Sequence, residues 1–344
     1  MNVGFDPGSH EMRVLFRRGQ QLIARHCRSA YALLPDEPEH RQILVQSRLP
    51  FGTCDGHLVL LGDTVSALGM GLRLPTWPLF PVGPVEQETS LAREILVAEL
   101  ETLLPPAPFS ESLCGFSFPV ESMRLPHDPD STTDSFLAQW IRLRGYTPLE
   151  ITPARALILA ELSHTGFTGL AVTFGAAYCS YSLCYRGEEL VSGHCKRGGQ
   201  WIDEQLAEQL QRYFVDSQGR SWLDTAGISA WKSHAAPSLL KPRNSEESLL
   251  RDLYRQLLQE VYQRVFDGLF EARLPRPFPS TTLVISGGVS RIIGFRELIQ
   301  EIWLRPGLPL EIHDVTLTED SAFTIARGCL IHACLSGVSE KAAA

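Results

Sequence analysis

The sequence predicts an α/β protein of two domains, each a mixed β-sheet flanked by helices. The chain has 344 residues, which suffices for two domains of about 150 residues each. A block of short strands opens the chain and leads into helices and single strands, and a similar block begins at Thr168. In each block a glycine-bearing turn, at Gly8 and at Gly175, directly follows the first strand. This order of elements predicts one architecture used twice.

Short apolar runs separated by Gly, Pro or charged residues predict the strands of the first half. We expect them at Asn2–Asp6, Met12–Phe16, Leu22–Cys27, Gln42–Arg48, His57–Leu61, Ser112–Phe118 and Leu149–Ile151. Helices are expected at 90–104 and 134–145. A further helix should begin at Pro153, because Thr152 can cap it and proline fits the first turn.

The second half is predicted in the same way. Its strands are expected at Leu170–Phe174, Cys179–Tyr185, Glu189–Gly193, Leu283–Ser286 and Leu308–Ile312. Helices are expected at 199–214, 222–235, from Ser245 onward, at 296–303 and at 320–334. The helix from Ser245 repeats leucine and valine at the three-to-four spacing of an amphipathic helix. We place the first domain at residues 1–148 plus 310–344 and the second at 149–309.

Composition and charge exclude several classes of function. The formal net charge is −8 and Lys and Arg form no run, so we expect no nucleic-acid partner, since duplex binding needs a basic face. No signal-peptide pattern opens the chain, and no apolar run reaches the roughly 18–20 residues that span a bilayer. The eight cysteines form no CxxC pair, so we expect buried reduced thiols. The sequence therefore predicts a cytoplasmic protein without a transmembrane segment.

The first motif with chemical potential is the turn Gly4–Ser9. A glycine turn lets backbone N–H groups approach phosphate oxygens without an obstructing Cβ, which makes Gly8 a candidate. The hydroxyl of Ser9 can donate to phosphate, and Asp6 is the candidate Mg²⁺ ligand, because that ion prefers oxygen ligands. An ordinary Gly-Ser hairpin turn explains the same residues without a ligand.

The second motif is the strand and turn that end in Thr173, Gly175, Ala176 and Ala177. Its small residues allow backbone amides to reach another side of a phosphate chain. A core hairpin is the alternative explanation.

Two further glycine pairs complete the set. An apolar strand leads into Gly287-Gly288-Val289, where the chain can pass close under a flat ligand such as adenine. Gly198-Gly199 precedes a helix, whose free N–H groups and dipole form a candidate anion site. The alternative explanation for Gly287-Gly288 is a common strand-to-helix turn, and for Gly198-Gly199 it is the plain start of a helix.

Together and in this order, the motifs resemble those of the actin and DnaK-type (Hsp70-like) chaperone superfamily, and most closely the MreB-like bacterial actins. Gly4–Ser9 resembles the first phosphate loop, Gly169–Ala177 the second, and Ser286–Ser290 the adenosine motif. Pro153–Leu162 and Ala322–Gly328 resemble the two helices that connect the domains. The resemblance covers nearly the whole chain and leaves no room for a chaperone's substrate-binding domain.

The resemblance implies an actin-like fold, the duplicated form of a ribonuclease H-like domain, with a nucleotide cleft between the domains. It also implies ATP and Mg²⁺ as cofactors. Lys232 falls where such proteins place a basic residue near the adenosine.

Departures from the family pattern bear on hydrolysis. Thr173 stands where the second loop normally carries a metal-side Asp, and Thr152 stands where MreB-like proteins have a water-positioning Glu. Glu150, two residues earlier on a strand, is the candidate substitute, and Asp6 remains the metal-side acid. Gln200 likewise replaces an acidic residue. Because phosphoryl transfer depends on metal charge and a positioned water, we expect nucleotide binding with slow or no ATP hydrolysis.

Three functions are compatible with these motifs. The first is a filament-forming, MreB-like cytoskeletal protein that self-associates. The second is a non-polymerising nucleotide switch read by a protein partner, like divergent chaperone-type ATPase domains or the actin-like scaffolds of division and pilus machines. The third, a sugar or carboxylate kinase, lacks a convincing catalytic Asp, because Asp128, Asp130 and Asp134 lie in one polar loop.

Overall fold

The structure is a computed structural model. It describes residues 1–65, 68, 74–79, 90–117, 136–216, 218–272, 274, 278–304, 307–319 and 322–343. The loop with Asp128, Asp130 and Asp134 lies outside these residues, as does most of the proline-rich segment after Pro78.

The described strands follow the chain in two blocks. They are β1 (Val3–Pro7), β2 (Glu11–Arg18), β3 (Gln21–Arg28), β4 (Ala30–Pro35), β5 (Gly52–Cys54), β6 (His57–Leu61), β7 (Trp77–Pro78), β8 (Leu113–Ser117), β9 (Thr147–Ile151), β10 (Gly169–Phe174), β11 (Cys179–Tyr185), β12 (Glu188–Cys195), β13 (Tyr213–Val215), β14 (Ser221–Leu223), β15 (Thr281–Ser286) and β16 (Ile312–Leu317).

The described helices alternate with these strands. They are α1 (Pro38–Gln46), α2 (Ser90–Leu103), α3 (Phe136–Leu143), α4 (Pro153–Glu161), α5 (Gly199–Gln209), α6 (Thr225–His234), α7 (Ser245–Glu271), α8 (Phe295–Trp303) and α9 (Thr324–Ala343).

The chain builds two five-stranded sheets with the same topology. Their strand orders are β3-β2-β1-β8-β9 and β12-β11-β10-β15-β16. In each sheet the first three strands form an antiparallel meander, and the last two run parallel to the strand at the centre. The duplication predicted from the order of elements is therefore present, and both glycine-bearing turns follow the central strand of their sheet.

Two smaller sheets extend the domains. Strands β5-β6-β4-β7 form a four-stranded sheet attached to the first domain, and β13-β14 form a hairpin in the second. They carry Trp77 and Trp222, which meet between the domains.

Helices α4 and α9 cross between the two large sheets, as expected for connecting helices. At the crossing, a Cβ on Gly328 would lie 1.9 Å from the carbonyl oxygen of Ala156, so only glycine permits this approach. Helix α9 also packs on β1 and β8, where Gly4 and Gly115 leave room for its backbone. Glycine at these three positions therefore allows the close packing of α9.

Several elements differ from the sequence prediction. A strand is expected at Gln42–Arg48, but α1 covers most of this segment, because Pro38 fits a first helical turn and the helix buries only Leu44. Helix α5 ends at Gln209, before the predicted end at residue 214, and β13 begins at Tyr213 instead. The strand expected at Leu308–Ile312 lies farther along the chain, as β16.

The position of β16 bears on the domain boundary. This strand pairs with β15 and so extends the second sheet. The chain therefore returns to the first sheet only with α9, later than the predicted boundary at residue 310. The thiols are partly as expected: Cys114, Cys179, Cys184, Cys195 and Cys329 are buried, whereas Cys334 is exposed.

Candidate functional site

The turn between β1 and β2 carries Gly8 and Ser9. Ser9 is buried, and the hydroxyl of Ser29 donates a hydrogen bond of 2.6 Å to the carbonyl oxygen of Gly8. This bond holds the turn against the start of β4. The turn is therefore well supported from within its own domain.

The turn between β10 and β11 meets the first turn directly. The backbone N–H of Ala177 donates a buried hydrogen bond of 3.1 Å to the hydroxyl oxygen of Ser9. The structure thus brings together the residues that the sequence assigns to the two phosphate loops. It also bonds one candidate phosphate donor to the other.

The amino terminus of α5 lies under the second turn. The N–H of Gly199 donates to the carbonyl oxygen of Gly175 at 3.0 Å, and the N–H of Gln200 donates to that of Ala176 at 2.8 Å. Gly198 is close to the same carbonyl oxygens. Two of the helix N–H groups that the sequence offers to an anion are therefore bonded to the protein itself.

The turn after β15 joins the same region. Gly287 has a φ of +115° and a Cβ there would lie 2.2 Å from the Phe174 carbonyl oxygen, so both backbone angle and space require glycine. Val289 packs against Gly199, where an added Cβ would lie 3.0 Å from its Cγ2. Gly288 differs, because an added Cβ would have no neighbour within 4 Å among the described residues.

Asp6 lies behind the first turn, at the end of β1. Its Oδ1 accepts a hydrogen bond of 2.9 Å from the Ser117 hydroxyl, and the Arg13 guanidinium lies 3.9 Å from its Oδ2. Burial raises the pKa of Asp6, and Arg13 and Ser117 oppose that shift. Burial above all, and then the Asp6 charge, raise the pKa of Tyr178, which therefore lies near this carboxylate. The described residues include no group of three acidic, His or Cys side chains around a common point.

Both threonines at the positions of missing family carboxylates are hydrogen-bonded. Thr173 shares a hydrogen bond of 2.7 Å with the Ser180 hydroxyl. Thr152 caps α4, accepting from the N–H of Arg155, and donates a hydrogen bond of 2.7 Å to Glu189 Oε1. Ser182 donates to the same oxygen at 2.7 Å.

The carboxylate beside Thr152 is thus Glu189 of β12. Glu150, the predicted substitute, is exposed on the edge strand β9. The cap on α4 is confirmed, whereas the catalytic roles of Thr152 and Glu150 stay predictions.

Lys232 forms an ion pair with Asp203 of α5. Both side chains are largely buried, at 15% and 12% exposed. Burial raises the pKa of Asp203 to about 6, against the opposing effect of Lys232. The ammonium predicted to lie near an adenosine is therefore paired with a carboxylate one helical turn beyond Gly199.

Charged residues of both signs lie around the first turn. His10 keeps exposed surface, yet desolvation by the surrounding atoms lowers its pKa, and Arg28, Arg13 and Lys232 lower it further, whereas Glu11 opposes the shift. Arg13 is paired with Glu11, and Lys232 is paired with Asp203. Two of these three cations are therefore already bound to carboxylates.

The domains also touch at Trp77 and Trp222. Their ring centroids lie 6.3 Å apart at 82°, an edge-to-face contact between β7 and β14. None of the predicted site residues is Trp77, Trp222, His10, Glu189 or Asp203. The sequence did contain a signal for Asp203, because an acidic residue one helical turn after a glycine pair lies near the same end of the helix. It contained no such signal for Glu189 or for the two tryptophans.

Two surface cavities lie in the second domain, apart from these turns. One of about 400 Å³ includes Thr165, Arg186 and His313, and another of about 710 Å³ lies between β12 and α7. In the part of the chain that the structure describes, no helix has the length and apolarity to cross a membrane.

Comparisons with known proteins bear on the fold and the family. The pattern of the Volactin family matches residues 1–333. No curated protein matches the chain. Among solved structures, the MamK double helical filament is 16% identical with a TM-score of 0.67, covering 96% of this chain and 97% of that one.

Two further solved structures have the same fold. MreB5 of Spiroplasma citri bound to AMPPNP is 11% identical with a TM-score of 0.69, covering 100% of this chain and 98% of that one. An archaeal actin homologue is 16% identical with a TM-score of 0.53, covering 97% and 99% of the two chains. The resemblance seen in the sequence is thereby confirmed for the fold. The chain belongs to the Volactin family and has the actin-like fold of MreB and MamK.

Proposed function

We propose that this protein is an actin-like protomer that binds ATP with Mg²⁺ between its two domains and self-associates into filaments. One observation carries the proposal. Turns from both sheets, which include Gly8, Ala177 and Gly287, converge with the start of α5 at Gly199 on one place between the domains. A cytoplasmic location belongs to the same proposal.

The groups at this place suit a phosphate chain. They include the amide of Ala177 and the hydroxyl of Ser9. Backbone amides in glycine turns and nearby cations are the usual partners of phosphate oxygens. In this closed arrangement the amide and the hydroxyl bond to each other, so phosphate must replace that bond.

Mg²⁺ fits the site only together with phosphate. We assign one carboxylate at the first turn, Asp6, as a ligand of Mg²⁺. Mg²⁺ is commonly held by one or two carboxylates plus phosphate oxygens. The ion would supply charge neutralisation. The protein's part is to keep Asp6 oriented, through the hydrogen bond from Ser117.

The turn at Gly287 and Gly288 is our candidate for the adenosine side. Gly288 has free space around its Cβ position, while Gly287 holds the turn against the end of β10. The Lys232 ammonium can contact an adenosine here only if it binds the adenosine and Asp203 together or breaks its ion pair with Asp203.

Hydrolysis should be slow or absent. Thr173 and Thr152 supply hydroxyls where a metal-side and a water-positioning carboxylate would act, and both hydroxyls are bonded to protein groups. Phosphoryl transfer gains most of its rate from positioning and charge stabilisation. Losing each carboxylate should therefore lower turnover by about 10²–10⁴.

Self-association is supported by similarity alone. One of the similar solved structures is a double helical filament of MamK. A non-polymerising switch is the second candidate, because direct contacts join the two domains within one protomer.

Isothermal titration with ATP, ADP and GTP, with and without Mg²⁺, tests the nucleotide part. Gly288→Glu is the sharpest variant, because the added side chain meets no described atom within 4 Å of its Cβ yet brings a negative charge to the site. We expect it to abolish binding, and Gly52→Glu on exposed β5 to leave binding unchanged. Equal binding by Gly288→Glu and wild type would overturn the site.

Sedimentation with ATP and Mg²⁺, followed by electron microscopy, tests filament formation. A monomer by light scattering under the same conditions would favour the switch. A phosphate-release assay with turnover like that of an intact bacterial actin would contradict slow hydrolysis.

A further inference from the structure

Two cysteines face each other across neighbouring strands of the second sheet. Cys179 begins β11 and Cys195 ends β12, and the two residues are directly opposite in the antiparallel register. Both side chains are buried in the same hydrophobic core, at 1% and 3% exposed. Cys184, farther along β11, belongs instead to the core around α4 on the opposite face of the sheet. Cys179 and Cys195 therefore lie side by side on one face.

The geometry of a directly opposite pair suits a disulfide bond. The Cα atoms of such a pair are about 4.5 or 5.5 Å apart, depending on where the ladder hydrogen bonds fall. Disulfides join Cα atoms that are about 4.4–6.8 Å apart, so both strands can keep their places. Burial above all raises the pKa of Cys179 well above its usual range, and Cys195 and Glu260 raise it further, because both groups lie close to the Cys179 thiol.

The Cys195 thiol is connected to a surface cavity through Glu260. Its Sγ donates a hydrogen bond of 3.3 Å to Glu260 Oε1, and Arg197 holds the other carboxylate oxygen at 2.5 Å. Glu260 lines the cavity of about 710 Å³ between β12 and α7, together with His194 and Lys196 on either side of Cys195. A small reagent in this cavity therefore meets the carboxylate that accepts the hydrogen bond of the thiol.

The same surroundings make the thiol slow to react. Burial, and then the Glu260 carboxylate, raise the pKa of Cys195 to about 11. Only the thiolate is a good nucleophile, so oxidation needs the proton to pass from Cys195 to Glu260 as the reagent arrives.

We propose that Cys179 and Cys195 are a reversible oxidation site, which a peroxide converts into a disulfide. The Cys195 sulfur first attacks a peroxide oxygen, the O–O bond breaks, and the leaving hydroxide becomes water with the thiol proton that Glu260 accepted. The Cys179 sulfur then attacks the sulfenic acid of Cys195, the S–O bond breaks, and the leaving hydroxide takes the Cys179 proton. The two thiols together lose two electrons and two protons, and one hydrogen peroxide becomes two waters.

The disulfide would join the second glycine turn to the segment that leads into α5. Cys179 directly follows the turn that begins at Gly175, and Cys195 lies three residues before Gly198. The amides of Gly199 and Gln200 already bond to this turn. The disulfide adds a reversible covalent link at the same place, and its formation does not depend on the proposed nucleotide site.

Peptide mapping of the full chain tests the proposal. The Cys334→Ser background removes an exposed thiol that could join two molecules. The folded protein is treated with hydrogen peroxide, unfolded in urea with N-ethylmaleimide, digested with trypsin and analysed by mass spectrometry. We expect peptide 156–186, with Cys179, to appear joined to peptide 187–196, with Cys195, and dithiothreitol to separate them.

Variants and fragmentation identify the linked sulfurs. Cys179→Ala and Cys195→Ala should each abolish the joined peptides. Cys184→Ala is the matched control, because it removes a buried thiol from the same tryptic peptide but from the opposite face of the sheet, and it should keep the link. Fragmentation of the joined peptides assigns Cys179 or Cys184 without any variant. In Cys179→Ala, dimedone should label the sulfenic acid of Cys195.

Three results would overturn the proposal. The first is equal N-ethylmaleimide labelling of Cys179 and Cys195 before and after peroxide treatment of the folded protein. The second is a link from Cys195 to Cys184, seen by fragmentation or by its loss in Cys184→Ala. The third is dimedone labelling of Cys179 in Cys195→Ala without labelling of Cys195 in Cys179→Ala, which would reverse the order of the two steps. None of these results changes the proposed nucleotide binding, which titration tests separately.

Discussion

Ser9 and Ala177 are 168 residues apart in the chain and share a buried hydrogen bond of 3.1 Å, from the Ala177 amide to the Ser9 hydroxyl. Each residue sits at the turn after the central strand of its sheet. The bond therefore links the equivalent points of the two duplicated halves.

Ser9→Ala should destabilise the protein, because the buried amide of Ala177 loses its acceptor. An unsatisfied buried donor costs about 1–3 kcal/mol, so we expect the free energy of unfolding to fall by that amount in urea titrations. Ser233→Ala is the control, since its hydroxyl bond to Ser229 is exposed on α6. Equal stability of Ser9→Ala and Ser233→Ala would contradict the interdomain bond.

Gly328→Ala should weaken the crossing of α4 and α9. Its new Cβ would lie 1.9 Å from the Ala156 carbonyl oxygen, so the helices must separate. We expect the free energy of unfolding to fall by about 1–3 kcal/mol or more, as measured by thermal and urea unfolding. Gly52→Ala is the matched control, because its Cβ would meet only Val59 at 3.9 Å. A neutral Gly328→Ala would show that the helices do not approach so closely.

Lys232→Met should destabilise the protein in a pH-dependent way. The folded pKa of Asp203 is about 6, above its ordinary 3.8, so the folded state holds this proton more tightly. Without Lys232 the pKa of Asp203 rises further, so at high pH the variant must either keep a buried, unpaired carboxylate, which costs about 3–5 kcal/mol, or hold a proton that the unfolded chain has released. Below it the carboxyl is neutral and Lys232 contributes little.

The expected loss of stability is therefore largest at pH 8 and small at pH 5, as measured by urea unfolding at each pH. Lys241→Met, at an exposed position, should show no such trend. A loss that is equal at both pH values would mean that Asp203 does not titrate between them.

Thr152→Glu should fail to restore a water-positioning carboxylate by itself. The Glu189 carboxylate lies 2.7 Å from the Thr152 hydroxyl, so a second carboxylate meets a like charge there. We expect the free energy of unfolding to fall by about 2 kcal/mol, within the range for a partly buried unpaired charge. Adding Glu189→Gln should restore most of this stability, because the glutamine amide can donate to the new carboxylate.

A double-mutant cycle measures this coupling. The control is Glu189→Gln alone, which keeps an oxygen that accepts from Thr152 and Ser182. If the double variant is no more stable than Thr152→Glu, the proximity of Thr152 and Glu189 is refuted.

Local signals in the sequence anticipated much of the fold. Thr152-Pro153 predicted a capped helix, and the cap is present. The leucine repeat after Ser245 predicted α7, which buries that face. The prediction for Gln42–Arg48 was wrong because a short apolar run does not separate strand from helix, and the proline upstream decided in favour of α1.

The sequence by itself determined the duplicated order of strands and helices and the glycine turns that close each central hairpin, because both depend on backbone geometry within a few residues. Only the tertiary structure decided what those turns face. The bonds of Ala177 to Ser9 and Thr152 to Glu189, the Lys232 ion pair and the Trp77 contact each join distant elements. Such pairings arise when two sheets pack around crossing helices. This packing produces no periodic pattern in the sequence that could predict them.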